Sequence, residues 1–443
     1  MSATGEAAFP AGRLQRTAES AHAPLALAGA VALAAQAAAQ ATDSAAPMLL
    51  AAAVAGGAFV VVWRRQERLR LGPLLGIALA FQLSWIGVNL SLGVTSFDSS
   101  ELYRGWGNEL LDGRYPESQY PPGAVLLFAF DAWLGGGATR TSHAFVMVPF
   151  QLATVAAIWA LRTQLTPWLA ALVALWPLNA FFWEFRFDLV PTALLALGLL
   201  LAFRERWALS GLALGIGAAV KWTPALAFAL LAVWLLASGR MRALVRHAGV
   251  FAGVFLLLHL PFVVWSPDEA LYAYRYFSGQ GLTGESVWYL LLAPLGLATV
   301  APREFWLPAD VPGWADAAAT AVQGLVLLAL AAAAVRARAS LRAGIAIAAM
   351  APVVFLLLNR VFSPQYLVLM LAAWAIAGAL LVESRRGQLA VGLAAMAATT
   401  ANAFVYPYTL HQLGLWQAAS AALFAIGVSL SAWFVLRAAR PWR

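Results

Sequence analysis

The polar residues able to do chemistry in this chain are few, and they are set among long apolar runs. Lys221 is the only lysine, and it stands between two short apolar segments in the run GLALGIGAAVKWTPALAF. An ammonium at membrane depth is costly unless it is paired or wet. Trp222-Thr223-Pro224 follows it and breaks the helix, which frees backbone groups to line a cavity. A phosphate is a natural partner for such a cation. A lysine that snorkels to a lipid headgroup is the competing reading. Gly211, Gly215 and Gly217 would let this hairpin pack tightly against its neighbours.

Asp98 stands at the end of an apolar run, in the segment from Thr95 to Phe128. Leu102, Trp106 and Leu110 recur at helical spacing, while Glu101, Arg104, Asn108 and Asp112 fall on other faces. That pattern predicts an amphipathic helix on the membrane surface, ended by Gly113. Asp98 then has two compatible readings. It caps the helix, with Glu101 completing a capping box, or it is a general base at the membrane–water boundary. Tyr120-Pro121-Pro122 starts the next apolar run, where proline suits a first helical turn; Tyr120 can line a cavity.

Glu184, Arg186 and Asp188 lie close together in FFWEFRFDLVP, as an internal salt-bridge set or as groups facing one cavity. The segment NRVFSPQYL offers Arg360 for a phosphate and Gln365 and Tyr366 for sugar hydroxyls. Its structural reading is a capped turn, with Ser363 as N-cap and Pro364 at the first helical position. His259 and His411 are structural hydrogen-bonders or assistants in acid–base work. Trp265, Tyr272, Tyr274, Tyr276, Trp288, Tyr289 and Trp306 crowd one stretch. They read as an interfacial belt, whose faces also suit sugar rings.

The elements that position these residues follow from composition. The chain has 443 residues, 62% hydrophobic and only 11% charged, with a mean hydropathy of +0.77. Apolar runs near membrane length recur throughout, continuous rather than alternating, so the fold class is all-α, a polytopic transmembrane bundle of about 13–16 apolar helices. Spans are predicted at 24–42, 46–63, 72–94, 121–135, 143–161, 166–182, 188–203, 207–220 and 224–237. They continue at 243–265, 315–335, 341–358, 366–382, 388–405 and 412–436, with a weaker interfacial or re-entrant segment at 288–300.

The net charge is +8, and its arginines cluster in short loops. They read as cytoplasmic topology signals beside membrane lipids, not as a nucleic-acid surface. This leaves 95–120, 266–314, 359–365 and 406–411 on the outer face. Seven runs lie between Arg70 and Arg240 where an even number is needed, so one fails to span. Residues 1–23 lack a signal-peptide pattern and are expected to form a disordered cytoplasmic tail. There is no cysteine, which excludes disulfides and thiol chemistry. Nucleotide loops and metal-binding triads are also absent, so neither a metal nor a cofactor is expected.

The early Asp98, the short helix ending in Gly113, Tyr120-Pro121-Pro122, the glycine-rich helix into Lys221-Trp222-Thr223-Pro224 and the late Ser363-Pro364-Gln365-Tyr366 occur in an order that resembles C-type membrane glycosyltransferases. The branch most similar is glycosyltransferase family 87, the polyprenyl-phosphate-mannose-dependent α-mannosyltransferases. The resemblance runs from 72 to 436; residues 24–71 carry two extra helices and 437–443 a basic cytoplasmic tail. Phe185-Arg186-Phe187-Asp188-Leu189 departs from the family's Gly-Gln-x-Asn/Asp pattern.

The resemblance implies a polyprenyl-phosphate sugar donor, no metal, and a lipid or glycan acceptor at a bacterial plasma membrane, with the site extracytoplasmic and transfer with inversion. It implies Asp98 as base and Lys221, Arg360 and Arg186 as phosphate ligands. Glu101, Tyr103, Tyr120, Asp188, Gln365, Tyr366, His259 and His411 are implied at the sugar or acceptor. The rival is a transporter or flippase of a lipid-linked saccharide, which should show paired half-helices in two related halves. A non-enzymatic scaffold would leave Lys221 and Asp98 without purpose.

Overall fold

The computed structural model describes residues 21–136, 139–161, 166–301, 304–408 and 413–440. Among these the chain is helical, with no strand and only two isolated bridges, Thr283 to Pro308 and Thr299 to Asp310. Among the described residues nine helices are long and apolar enough to cross a bilayer. Five shorter apolar helices accompany them: Pro122–Gly135, Leu189–Phe203, Trp207–Val220, Thr223–Ala237 and Leu341–Leu357.

The expected spans recur with ends moved by a few residues, because a continuous apolar run has only a helix as a way to satisfy its backbone in lipid. The exception is 166–182. There Thr166–Leu175 and Pro177–Phe185 meet at a bend of 46°. Pro177 disfavours helix at the preceding Trp176, which is extended (φ −71°, ψ 110°). This apolar run is therefore broken into two helices. Trp207–Val220 and Thr223–Ala237 are each short, roughly 21 Å at 1.5 Å per residue, and they meet at Lys221.

Burial separates the axis of the bundle from its rim. Leu367–Leu381 is apolar all round and buried at every position, as expected of a helix enclosed by others. Met241–Trp265 is its opposite, with Leu256, Leu257, Leu260 and Val264 exposed for lipid. On its inner side it is gripped by Trp207–Val220. A Cβ on Gly211 would lie 2.3 Å from the His247 carbonyl oxygen, and one on Gly215 would meet Val254 at the same distance. Small residues here let two helix backbones touch.

The first two described helices, His22–Thr42 and Ala46–Arg64, are fixed by polar bonds as well as by apolar packing. Tyr408 donates to Gln36 Oε1 (2.9 Å), and Gln36 Nε2 donates to Asn89 Oδ1 (2.9 Å). Asn89 Nδ2 donates in turn to Glu184 Oε2 at 2.6 Å. Arg140 completes the chain, donating to the Asn89 carbonyl and lying 3.9 Å from Glu184 Oε1. Every link is buried or half-buried, so the first helix is tied to the bent segment that leads into Arg186.

The 95–128 segment differs in detail from its expectation. Asp98–Leu102 forms one wide turn of π-helical pitch, and Tyr103–Leu111 continues as an α-helix. Asp98 occupies the first helical position, and no side-chain cap is made there. The capping box is therefore not formed; the Asp98 carboxylate is drawn instead to a guanidinium from another element. The helix ends as expected, with Gly113 in the left-handed region at φ +77°. The weak apolar segment is a short helix, Val287–Leu292, followed by a turn with Leu291 and Leu295 exposed.

Candidate active site

The site is organised around three consecutive residues between Ala180–Phe185 and Leu189–Phe203. Arg186 is extended (φ −132°, ψ 144°), which turns its side chain and that of Asp188 to partners on different elements. Arg186 is ion-paired with Asp98 and donates to Ser96 Oγ at 3.0 Å. Asp188 accepts from Lys221, with Nζ 2.6 Å from Oδ1. Phe187 fills the space between, its ring edge-on to Tyr120 at 4.6 Å and to Tyr103 at 5.5 Å. Asp98 and Lys221 thus meet opposite ends of one crossbar. Glu184, Arg186 and Asp188 each take a partner from elsewhere in the bundle.

Lys221 sits at the break between two helices and is buried. Its ammonium faces the rings of Tyr366, Phe187 and Tyr120, with centroids at 4.9, 5.1 and 5.7 Å. Each ring face attracts the cation. Gly123 makes this cage possible. A Cβ there would lie 2.6 Å from the Ala219 carbonyl oxygen, so glycine lets the Tyr120-Pro121-Pro122 segment dock against the end of the lysine's helix.

A cavity of about 230 Å³ opens beside the lysine. Lys221, Tyr120, Tyr274, Thr320, Asn359, Arg360 and Tyr366 are among its walls. Arg360 is only loosely engaged: its guanidinium is 3.8 Å from Asp316 and 3.5 Å from the Phe277 carbonyl. Its backbone is better held, because the Thr283 amide donates to the Arg360 carbonyl at 2.9 Å. Two cations therefore face one space, one held by a short ion pair and one by longer contacts. Burial raises the phenols of Tyr120 and Tyr103, each reinforced by the Asp188 charge, and raises Tyr274 to about 12. These tyrosines are neutral donors at physiological pH, not bases.

The other residues named from the sequence fall at varying distances from this cavity. Gln365 accepts from the Ser363 hydroxyl at 2.7 Å, so Ser363 marks the turn without capping it through its side chain. Tyr103 is fully buried and stacked on Phe128 at 4.4 Å, inside the wall. Glu101 is exposed. His259 bonds to the Phe255 carbonyl and to the Tyr274 hydroxyl, one residue removed from the cavity. His411 lies outside the described residues. Neither Arg186 nor Asp98 lines this cavity; the two are paired with each other at the other end of the crossbar.

Two residues escaped the sequence. Asn89 sits in the middle of an apolar run, and only its partners reveal its place. Glu285 is buried in the loop before Val287–Leu292; a lone acid in the glycine-flanked run GLTGES was its only signal. Among the described residues no group of three or more His, Cys, Asp or Glu side chains can hold a metal ion.

The described residues form a polytopic helical bundle that buries a lysine–aspartate pair beside a cavity lined by Lys221 and Arg360. The model of glycosyltransferase family 87 matches residues 119–364, more than half of the chain, and the chain belongs to that family. The match spans Tyr120, Arg186, Asp188, Lys221, Glu285 and Arg360, while Asp98 lies just before it. No curated protein and no solved structure matches the chain.

Proposed function

We propose that this membrane glycosyltransferase moves a hexose, mannose by its resemblance, from a polyprenyl-phosphate donor to a lipid-linked or cell-envelope glycan acceptor. Transfer takes place on the extracytoplasmic face, with inversion. The observation that carries the reading is the shared cavity of Lys221 and Arg360, tied through Asp188 and Arg186 to Asp98. The arginine clusters, all on the cytoplasmic side of the reading, support the orientation.

In this mechanism the donor phosphate enters between Lys221 and Arg360. The acceptor hydroxyl attacks the anomeric carbon in line. The carbon–oxygen bond to the phosphate breaks with its electron pair on the phosphate, and the hydroxyl proton passes to Asp98. Cations already fixed at the leaving phosphate stabilise charge as it develops. A phosphate leaving group needs no general acid, so one carboxylate suffices, unlike the pair used in glycoside hydrolysis. Arg186 keeps Asp98 ionised until an acceptor arrives. Glu101, Tyr120, Asp188, Gln365, Tyr366, Tyr103, His259 and His411 are the candidates for contacts to the sugar or acceptor as substrate closes the site.

The test is sugar transfer in membranes holding the protein, supplied with labelled polyprenyl-phosphate mannose and assayed for product and anomeric configuration. Inverted glycoside from the wild type, and none from Asp98→Asn accumulated to the same level, is the expected result. Movement of the intact donor across the bilayer without transfer would replace the reading with a flippase.

A further inference from the structure

A groove of about 600 Å³ runs between the helices Arg385–Val405 and Leu413–Ala438. It lies away from the cavity of Lys221. Tyr366, just before Leu367–Leu381, lines that cavity, whereas the groove begins at Gly387, just after the same helix ends. Its walls include Ala390, Ala394, Ala425, Ser429 and Trp433. Ala390, Ala425, Ser429 and Trp433 are exposed, so the groove opens outward on two spans that face the bilayer. Apart from the Trp433 indole, Ser429 is the one polar side chain among its walls, and its hydroxyl has no hydrogen-bond partner among the described residues.

Each wall carries an arginine one turn beyond the groove. Arg386, Ala390 and Ala394 recur every fourth residue on one helix, and Arg437, Trp433 and Ser429 do so on the other. Residues four apart share a helix face. Helical side chains lean toward the N-terminus, so Arg437 reaches back along the groove, its guanidinium 5.7 Å from the centre of the Trp433 ring. Its Nε donates to the Leu381 carbonyl at 2.7 Å, which uses one of five donors. Arg386 is exposed, and its side chain makes no ion pair or hydrogen bond among the described residues. The neighbouring acids do not cancel this charge. Glu67 is taken by Arg385 at 2.7 Å, and Glu383 is a single exposed carboxylate. Trp63 Nε1 donates to the Arg385 carbonyl at 3.1 Å, which brings the end of Ala46–Arg64, with its own arginines, to the same corner.

We propose that this groove holds one anionic glycerophospholipid of the bilayer, its phosphate between Arg386 and Arg437 and one acyl chain along the groove. Guanidinium forks match phosphate oxygens in charge and geometry, and basic pockets between transmembrane helices suit anionic head groups. Trp433 sits where an interfacial aromatic belongs, between the charged head and the apolar chain. Ser429, one turn deeper, donates its hydroxyl to an ester carbonyl of the lipid. Below it Ala390, Ala394 and Ala425 offer a smooth apolar floor for the chain. A choline lipid fits less well, because its ammonium would be set against the arginines. The site is separate from sugar transfer and does not depend on the roles of Asp98 and Lys221.

The experiment is native mass spectrometry of the full-length protein in detergent, titrated with phosphatidylglycerol or with phosphatidylcholine of the same acyl chains. The wild type should retain one phosphatidylglycerol with about tenfold or greater preference, the scale expected of two arginines at one phosphate. Arg386→Gln, which breaks no contact within the protein, should lose most of that preference, and Arg386→Gln with Arg437→Gln should lose all of it. Ala390→Phe fills the groove without touching a charge and should abolish retention of the bound lipid; it serves if the double variant does not accumulate. Equal retention of the two lipids by the wild type overturns the proposal, since the groove would then hold only ordinary boundary lipid. So does a preference that survives in Arg386→Gln at full strength, or a bound phosphatidylglycerol that survives in Ala390→Phe.

Discussion

Replacing Asp188 by asparagine would strand the only lysine of the chain. Lys221 and Asp188 are 2.6 Å apart, with side chains 8% and 3% exposed. Two charges about 4 Å apart attract by roughly 4 kcal/mol at an effective dielectric constant near 20, and this pair is closer. Removing one member of a buried pair typically costs about 3–5 kcal/mol, mostly because the other charge is left in a poor solvent. The cage of Tyr120, Phe187 and Tyr366 would recover only ~1–2 kcal/mol of that through its ring faces. Asp188→Asn should therefore lower the unfolding midpoint in detergent clearly, and Lys221→Met should do the same. The double variant should be more stable than the sum of the two losses implies, because no unpaired charge remains. The assay is a double-mutant cycle by thermal unfolding of the purified protein. Strictly additive losses would refute the reasoning, since they would mean that the two side chains do not feel one another.

Three further outcomes follow from the same geometry. Arg360→Ala should raise donor KM while leaving the unfolding midpoint nearly unchanged, because its side chain makes only two long contacts; an unchanged KM in steady-state transfer would count against a phosphate role. Gln36→Leu should destabilise the fold by about 1–3 kcal/mol, because it leaves the Asn89 Oδ1 and the Tyr408 hydroxyl unsatisfied in a buried network. Thermal unfolding matching the wild type would show that the N-terminal helices are held by apolar packing alone. Gly123→Val should lower both expression and transfer, since the added carbons would push Tyr120 away from Lys221; activity equal to the wild type would contradict the close approach.

The helices were legible because lipid-compatible sequence is redundant. Nearly every residue of a span repeats the same message, so the ends of 46–63 or 207–220 moved by no more than a residue or so. Lys221 was legible for the opposite reason, as a lone cation in an apolar context. Its partner was not, because Asp188 lies 33 positions earlier and nothing in either segment encodes their approach. The pairing of Asp98 with Arg186 was hidden in the same way, and local spacing suggested a helix cap instead. The bend near Pro177 had a visible signal in the proline, masked by apolar residues on both sides. Glu285 was hidden most completely.

The central claim is a division of labour, with one carboxylate for the acceptor's proton and buried cations for the donor's phosphate. Equilibrium binding of polyprenyl-phosphate mannose to purified Asp98→Asn and Lys221→Met separates the two tasks in one measurement. The account predicts that the asparagine variant binds donor with the affinity of the wild type yet transfers nothing, while the methionine variant binds it at least tenfold more weakly, a loss of about 1.4 kcal/mol or more. Donor binding abolished by Asp98→Asn, or left intact by Lys221→Met, would contradict it.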